Sequence, residues 1–108
     1  MLVPLEDQTT ISAKFRKAPY FAIIKNDSIT IINNEGKRLK SAKFLNYLQT
    51  LGIDSIIVAN IGAKTAKNLL TQGYKLYMVC HPYLAHLRHV PLTPITLQTL
   101  FLGTLGHR

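Results

Sequence analysis

Ser55-Ile56-Ile57-Val58-Ala59-Asn60-Ile61-Gly62-Ala63-Lys64-Thr65-Ala66 is the stretch whose reading decides the fold. Its first five residues are a continuous apolar run bounded by polar ones. Such a run suits a strand buried on both faces, as inside a parallel sheet. Asn60-Ile61-Gly62 then turns into a helix carrying Ala63, Ala66, Leu69 and Leu70, and Gly73 ends it. Lys75-Leu76-Tyr77-Met78-Val79 is the next strand. A strand, a helix and a strand in this succession imply a parallel pair joined by a right-handed crossover.

Upstream, Phe44, Leu45, Leu48 and Leu51 recur at helical spacing, with Ser41 as the expected cap and Gly52 as the stop. Before that helix come two β-branched segments, Tyr20 to Ile24 and Ser28 to Ile32, separated by the turn residues Asn26-Asp27. They predict a β-hairpin. Met1 to Leu5 is a short apolar first strand. Downstream, Cys80 to Leu92 reads as irregular. Thr93 is expected to cap a last helix with Pro94 at its first position. Ile95, Leu97, Leu100 and Phe101 would be its apolar residues and Gly103 its stop. The predicted order is β-β-β-α-β-α-β-α. That is a five-stranded mixed α/β sheet with an antiparallel front, a parallel back and helices on its faces.

The chain has 108 residues, which fits one domain spanning 1–108 with no internal repeat or linker. Cys80 is the one cysteine, which excludes an intramolecular disulfide framework and a four-thiolate metal site within one chain. No apolar run reaches the ~18 residues of a membrane span, and the N-terminus lacks a signal-peptide pattern. The expected compartment is the cytoplasm. Thirteen Lys and Arg oppose five Asp and Glu, a net charge of +8. Anionic partners are favoured by such a charge. The five carboxylates are scattered, so a two-metal hydrolase, which needs several converging carboxylates, is not expected. No serine stands in a nucleophile-elbow sequence.

In open α/β sheets, ligands sit beyond the carboxyl ends of the parallel strands. Three segments are expected there: the loop from Glu6 to Lys17, the turn Asn60 to Lys64, and Cys80-His81-Pro82. Gly62 opens a helix whose free N–H groups and positive dipole end favour an anion, and Lys64 adds charge. Lys14, Arg16 and Lys17 surround Phe15, a pattern that can hold phosphates or carboxylates and stack a flat ligand. Cys80 and His81 are the favoured metal-capable pair, ahead of His86 and His89. None of these four stands at a recognised zinc spacing. His107 lies in the tail.

Ile11-Ser12-Ala13-Lys14-Phe15-Arg16-Lys17-Ala18-Pro19-Tyr20-Phe21-Ala22-Ile23 resembles the hallmark of the dinitrogenase iron–molybdenum cofactor biosynthesis family, of the NifX and NifB C-terminal type. That hallmark reads roughly Ser-x-His-Phe-Gly-x-Ala-x-x-Phe. Leu51-Gly52-Ile53-Asp54-Ser55-Ile56-Ile57-Val58 is similar to its Leu-Gly-Val-Asp-x-Val-Ile segment. Ile61-Gly62 through Leu69 to Gly73 is similar to its Gly-x-x-Ala-x-x-x-Leu-x-x-x-Gly stretch. The last helix, with Gly103 and Leu105, is similar to the family's ending. The resemblance implies a ribonuclease H-like fold and a non-enzymatic role. It also implies an iron–sulfur cluster or iron–molybdenum cofactor precursor as ligand, passed among cofactor-assembly proteins. Two positions depart from the hallmark: its histidine is Lys14 and its glycine is Arg16.

Two functions from different classes follow. The first is a carrier of an anionic metallocluster, with Lys14, Phe15, Arg16 and Lys17 as one wall. Asn60, the Gly62 amides and Lys64 would form the floor, and Cys80 or His81 a labile ligand. The second is a basic nucleic-acid or phospholigand module, motivated by the net charge and the run Lys37-Arg38-Leu39-Lys40. Either module would be a monomer or a homodimer.

Overall fold

The structure, a computed structural model, describes residues 1–101. The expected stop at Gly103, Leu105 and His107 lie outside the described residues. Strands β1 (Leu2–Leu5), β2 (Tyr20–Lys25) and β3 (Ser28–Asn33) lead to helix α1 (Ser41–Thr50). Then come β4 (Ser55–Val58), α2 (Ala63–Thr71) and β5 (Lys75–Met78). A 3-10 turn at Leu84–His89, a strand β6 (Thr93–Ile95) and a short helix α3 (Leu97–Phe101) complete them.

The six strands form one sheet in the order β3-β2-β1-β4-β5-β6. The front meander β1-β2-β3 is antiparallel, as the Asn26-Asp27 turn predicts. β1 pairs parallel with β4, and β4 with β5. Every residue of β4 is buried, as a central parallel strand requires. Gly52 (φ +67°) and Gly73 (φ +96°) follow α1 and α2 in the left-handed conformation that stops a helix.

Three expectations need correction. The sheet has six strands, not five. Thr93 and Pro94 belong to β6, antiparallel to β5, with Ile95 opposite Leu76 and buried on the core. The proline is tolerated because β6 is an edge strand, where a missing N–H breaks no interior ladder. α3 starts instead after Thr96, whose Oγ1 accepts from the Thr99 N–H at 3.1 Å.

Second, the helices share one face of the sheet. Phe44 and Leu48 of α1 and Ala66 and Leu69 of α2 join one core with Leu2, Phe21, Ile56, Val58 and Leu76. The reason is topological. From β1 the chain advances to β4 and then β5 in one direction across the sheet. Successive right-handed crossovers moving one way deposit their helices on one side. The opposite face (Val3, Leu5, Ala22, Ile57 and Val79) is covered by Ile11 and by Leu84 from the 3-10 turn. That segment is thus ordered cover rather than irregular chain.

Third, Ser41 is not the cap of α1. Lys40 occupies that position without a side-chain cap. The Ser41 hydroxyl instead accepts from Arg16.

Candidate functional site: a basic cleft at the strand ends

The carboxyl ends of β1, β4 and β5 each feed one of the expected segments. After β1 the chain folds back on itself. The Glu6 N–H donates to Thr10 O at 2.8 Å, and the Ser12 N–H to Pro4 O at 2.9 Å. The Asp7 carboxylate accepts from the N–H groups of Thr9 (2.9 Å) and Thr10 (2.8 Å). These bonds hold its pKa below the ordinary carboxylate value. The Ser12 hydroxyl donates to Glu6 at 2.8 Å and accepts from the Lys14 N–H at 3.0 Å. The loop therefore arrives at Lys14 with its backbone already committed.

Phe15 then plunges inward. It is 4% exposed, its ring 5.5 Å from Phe44 edge to face and 6.1 Å from Phe21. The ring is an anchor of the loop and presents no free stacking face for a flat ligand. Its burial leaves Lys14 and Lys17 exposed on either side. Arg16 donates from Nη1 to the Ser41 Oγ and from Nη2 to Leu39 O, both at 3.3 Å. Its Nε is buried without a partner.

One cleft, of about 190 Å³, brings together Lys14, Phe15 and Arg16 with Asn60, Gly62 and Thr65. Five expected site residues therefore meet. Lys17, Lys64, Cys80 and His81 do not line it. Lys17 faces a groove shared with residues 37–40, and Lys64 faces the gap between α2 and α3. Gly62 is the N-cap residue of α2, without a side-chain cap, and no acidic residue stands in the first turn. The cleft thus combines two cations, a helix N-terminus and no carboxylate, which favours an anion.

Cys80 and His81 follow β5 and lead into Pro82, Tyr83 and Leu84, which pair by backbone with the first loop. The Ile11 N–H donates to Pro82 O at 2.7 Å, and Leu84 N–H to Thr9 O at 2.9 Å. Cys80 is a free, exposed thiol. His81 pairs with His86, Nε2 to Nδ1, at 3.2 Å. Among the described residues no three His, Cys, Asp or Glu side chains converge on a metal position. Asn34 and Thr65 escaped the sequence reading. Asn34 lies in a polar run that reads as loop, and the one signal for it is the glycine two residues on, typical of an Asx turn.

Together the fold and cleft define a small mixed α/β protein with a carboxylate-free, anion-attracting cleft at its strand ends. The chain belongs to the dinitrogenase iron-molybdenum cofactor family, whose model matches residues 1–86. No curated protein matches it. Among solved structures it is similar to the NMR structure of a Thermotoga protein described as a candidate NifB protein. Identity is 18%, over 95% of this chain and 84% of that one, with a TM-score of 0.58. At that identity the likeness is one of fold. No helix among the described residues is long and apolar enough to cross a membrane.

Proposed function

We propose that this protein is a non-enzymatic accessory carrier in iron–molybdenum cofactor assembly, holding an anionic iron–sulfur cluster or cofactor precursor as cargo. The observation that carries the reading is the cleft itself. Family membership supplies the cargo class, and the cleft supplies cations and helix amides with no carboxylate to repel it. Lys14 stands where the family hallmark has histidine. An ammonium has no lone pair to coordinate a metal. The cargo is therefore gripped chiefly by charge at Lys14 and Arg16, in a cleft floored by Asn60 and Gly62. Cys80, exposed and outside the cleft lining, offers the chain's one thiol as an exchangeable ligand. A single thiolate suits transient holding better than permanent ligation.

The test is anaerobic exposure of the purified protein to iron and sulfide, read by visible absorption and metal content. Three variants run beside it: Lys14→Glu, Gly62→Ala and Cys80→Ala. At Gly62 a Cβ would meet open space and φ is −70°, so alanine fits the fold while adding a methyl group at the cleft. Stoichiometric colour, lost in Lys14→Glu and weakened in Gly62→Ala, supports the carrier reading. Colour indifferent to both would place the cargo elsewhere, and a colourless, metal-free wild type would overturn the reading.

A further inference from the structure

The run Lys37-Arg38-Leu39-Lys40 has no part in the cleft described above. It forms one side of a second concavity, of about 400 Å³, whose other side is Arg16 and Lys17. Five of the six lining residues are cationic, and the sixth is Leu39. We propose that this groove is a binding site for a phosphate chain, the di- or triphosphate portion of a small polyanion.

The groove is built rather than a chance of loose lysines. The Leu39 N–H donates to Gly36 O at 2.9 Å, and the Lys37 N–H to Asn34 O at 3.4 Å. Leu39 packs on the hydrophobic core, which leaves Lys37, Arg38 and Lys40 exposed around it. Arg16 ties the two sides together through Leu39 O and the Ser41 hydroxyl. None of the five cations has an ion pair within 4.0 Å, since the ion pair among the described residues is Arg88 with Asp27. Five of the chain's thirteen Lys and Arg thus share one concavity, uncompensated. Such crowding is relieved by a bound anion. Lys40 is also the N-cap residue of α1, whose first turn holds no acidic residue. Helix amides and cations together are the ordinary recipe for phosphate.

The lining chooses among polyanions. No aromatic ring lines the groove, so it offers no stacking platform for a nucleobase. One leucine is too little apolar surface for an acyl chain or a protein anchor residue. The volume falls within the range of small-molecule sites. What remains is recognition of the phosphate chain itself, whether inorganic or carried by a nucleotide.

The experiment is titration calorimetry with inorganic tripolyphosphate and with ATP, each at low and physiological salt. The expected result is one site per chain, similar affinity for both probes, and weakening with salt. The variant Lys37→Ala/Arg38→Ala/Lys40→Ala should lose roughly tenfold or more in affinity. A control with three exposed lysines removed elsewhere (Lys43→Ala/Lys67→Ala/Lys75→Ala) should lose far less. All six positions altered, three in the groove and three in the control, are exposed, and circular dichroism checks folding. Equal losses in the two variants would mean diffuse charge and overturn the proposal. So would binding of ATP without tripolyphosphate, or binding of an oligoribonucleotide with neither small probe. Lys14→Glu is expected to leave tripolyphosphate binding in place, so failure of the carrier reading and failure of this one are separable.

Discussion

The side-chain amide of Asn34 donates to the main-chain carbonyl of Arg16 at 2.9 Å, eighteen residues back along the chain. The same nitrogen donates to Ala18 O, also at 2.9 Å, and the Asn34 Oδ1 accepts from the Gly36 N–H at 3.0 Å. Asn34 is 2% exposed. One buried amide therefore fixes the basic loop on one side and the start of the Lys37–Lys40 segment on the other.

Replacing it should be costly twice over. Asn34→Ala leaves buried carbonyls and a buried N–H unpaired, which is expected to cost about 2–4 kcal/mol. Asn34→Asp should also destabilise, because a carboxylate accepts but cannot donate to two carbonyls. Urea unfolding followed by circular dichroism checks both. Loss within 0.5 kcal/mol, about the effect of an ordinary surface change, would show that the amide is not structural.

Phe15 gives a second test, because its place in the core separates anchoring from ligand contact. Phe15→Ala opens a cavity beside Phe21 and Phe44 and should cost about 3–5 kcal/mol. Phe15→Leu keeps most of the volume. It should preserve the fold and leave affinity for the anionic cargo unchanged. A folded Phe15→Leu protein that had lost its cargo would restore the ring as a ligand-stacking wall.

What could be read from residues alone divides along a physical line. β4, α2 and β5 were legible because an uninterrupted apolar run, a helical repeat and a terminal glycine are local signals. Gly52 and Gly73 marked their helix ends correctly for the same reason. β6 was not legible. Thr93-Pro94 is a good local start for a helix, and the pairing of Ile95 with Leu76 that overrides it is a tertiary fact. The single-faced placement of helices depends on the direction of travel across the sheet, which strand order reveals and periodicity does not. At the site, charge and spacing pointed to Lys14, Arg16, Asn60 and Gly62, and one cleft is lined by all four. They could not say that Lys17 and Lys64 would face other concavities, since that depends on which neighbours bury.

Asp7 carries the pH dependence of the first loop. Its pKa is lowered first by the Thr9 N–H and then by the Thr10 N–H. A carboxyl whose folded value lies below its unfolded value stabilises the fold above the unfolded pKa, and that contribution disappears as pH falls through the folded one. The loop should therefore loosen only in strong acid. Because Thr9 O and Thr10 hold the segment around Tyr83 and Leu84, that segment should loosen with it. Side-chain NMR titration of Asp7 should show a pKa below the ordinary aspartate value of 3.8. Asp7→Asn, which keeps an acceptor and loses the charge, should flatten the acid response of the Thr9 and Thr10 amides. A midpoint at or above the ordinary value would refute the role.

The pairing of His81 with His86 fixes two tautomers. The Tyr83 N–H points at His81 Nδ1 at 3.3 Å, and a backbone amide can only donate. His81 Nδ1 must then be the bare acceptor, which puts the ring proton on Nε2. That proton is donated to His86 Nδ1 at 3.2 Å, so neutral His86 also carries its own proton on Nε2. Long-range nitrogen–proton NMR correlations should report the Nε2–H form for both rings. The Nδ1–H form at His81 would contradict the arrangement. The same geometry bears on metal binding at this end of the sheet. A metal can reach His81 only through Nε2, the atom engaged with His86, since Nδ1 is held by the Tyr83 amide. Iron coordinated at His81 must therefore break the pair and perturb the His86 ring in the same titration. Iron taken up at the Cys80 thiol alone should leave the His86 signals in place, and that contrast tells the two ligands apart without any mutation.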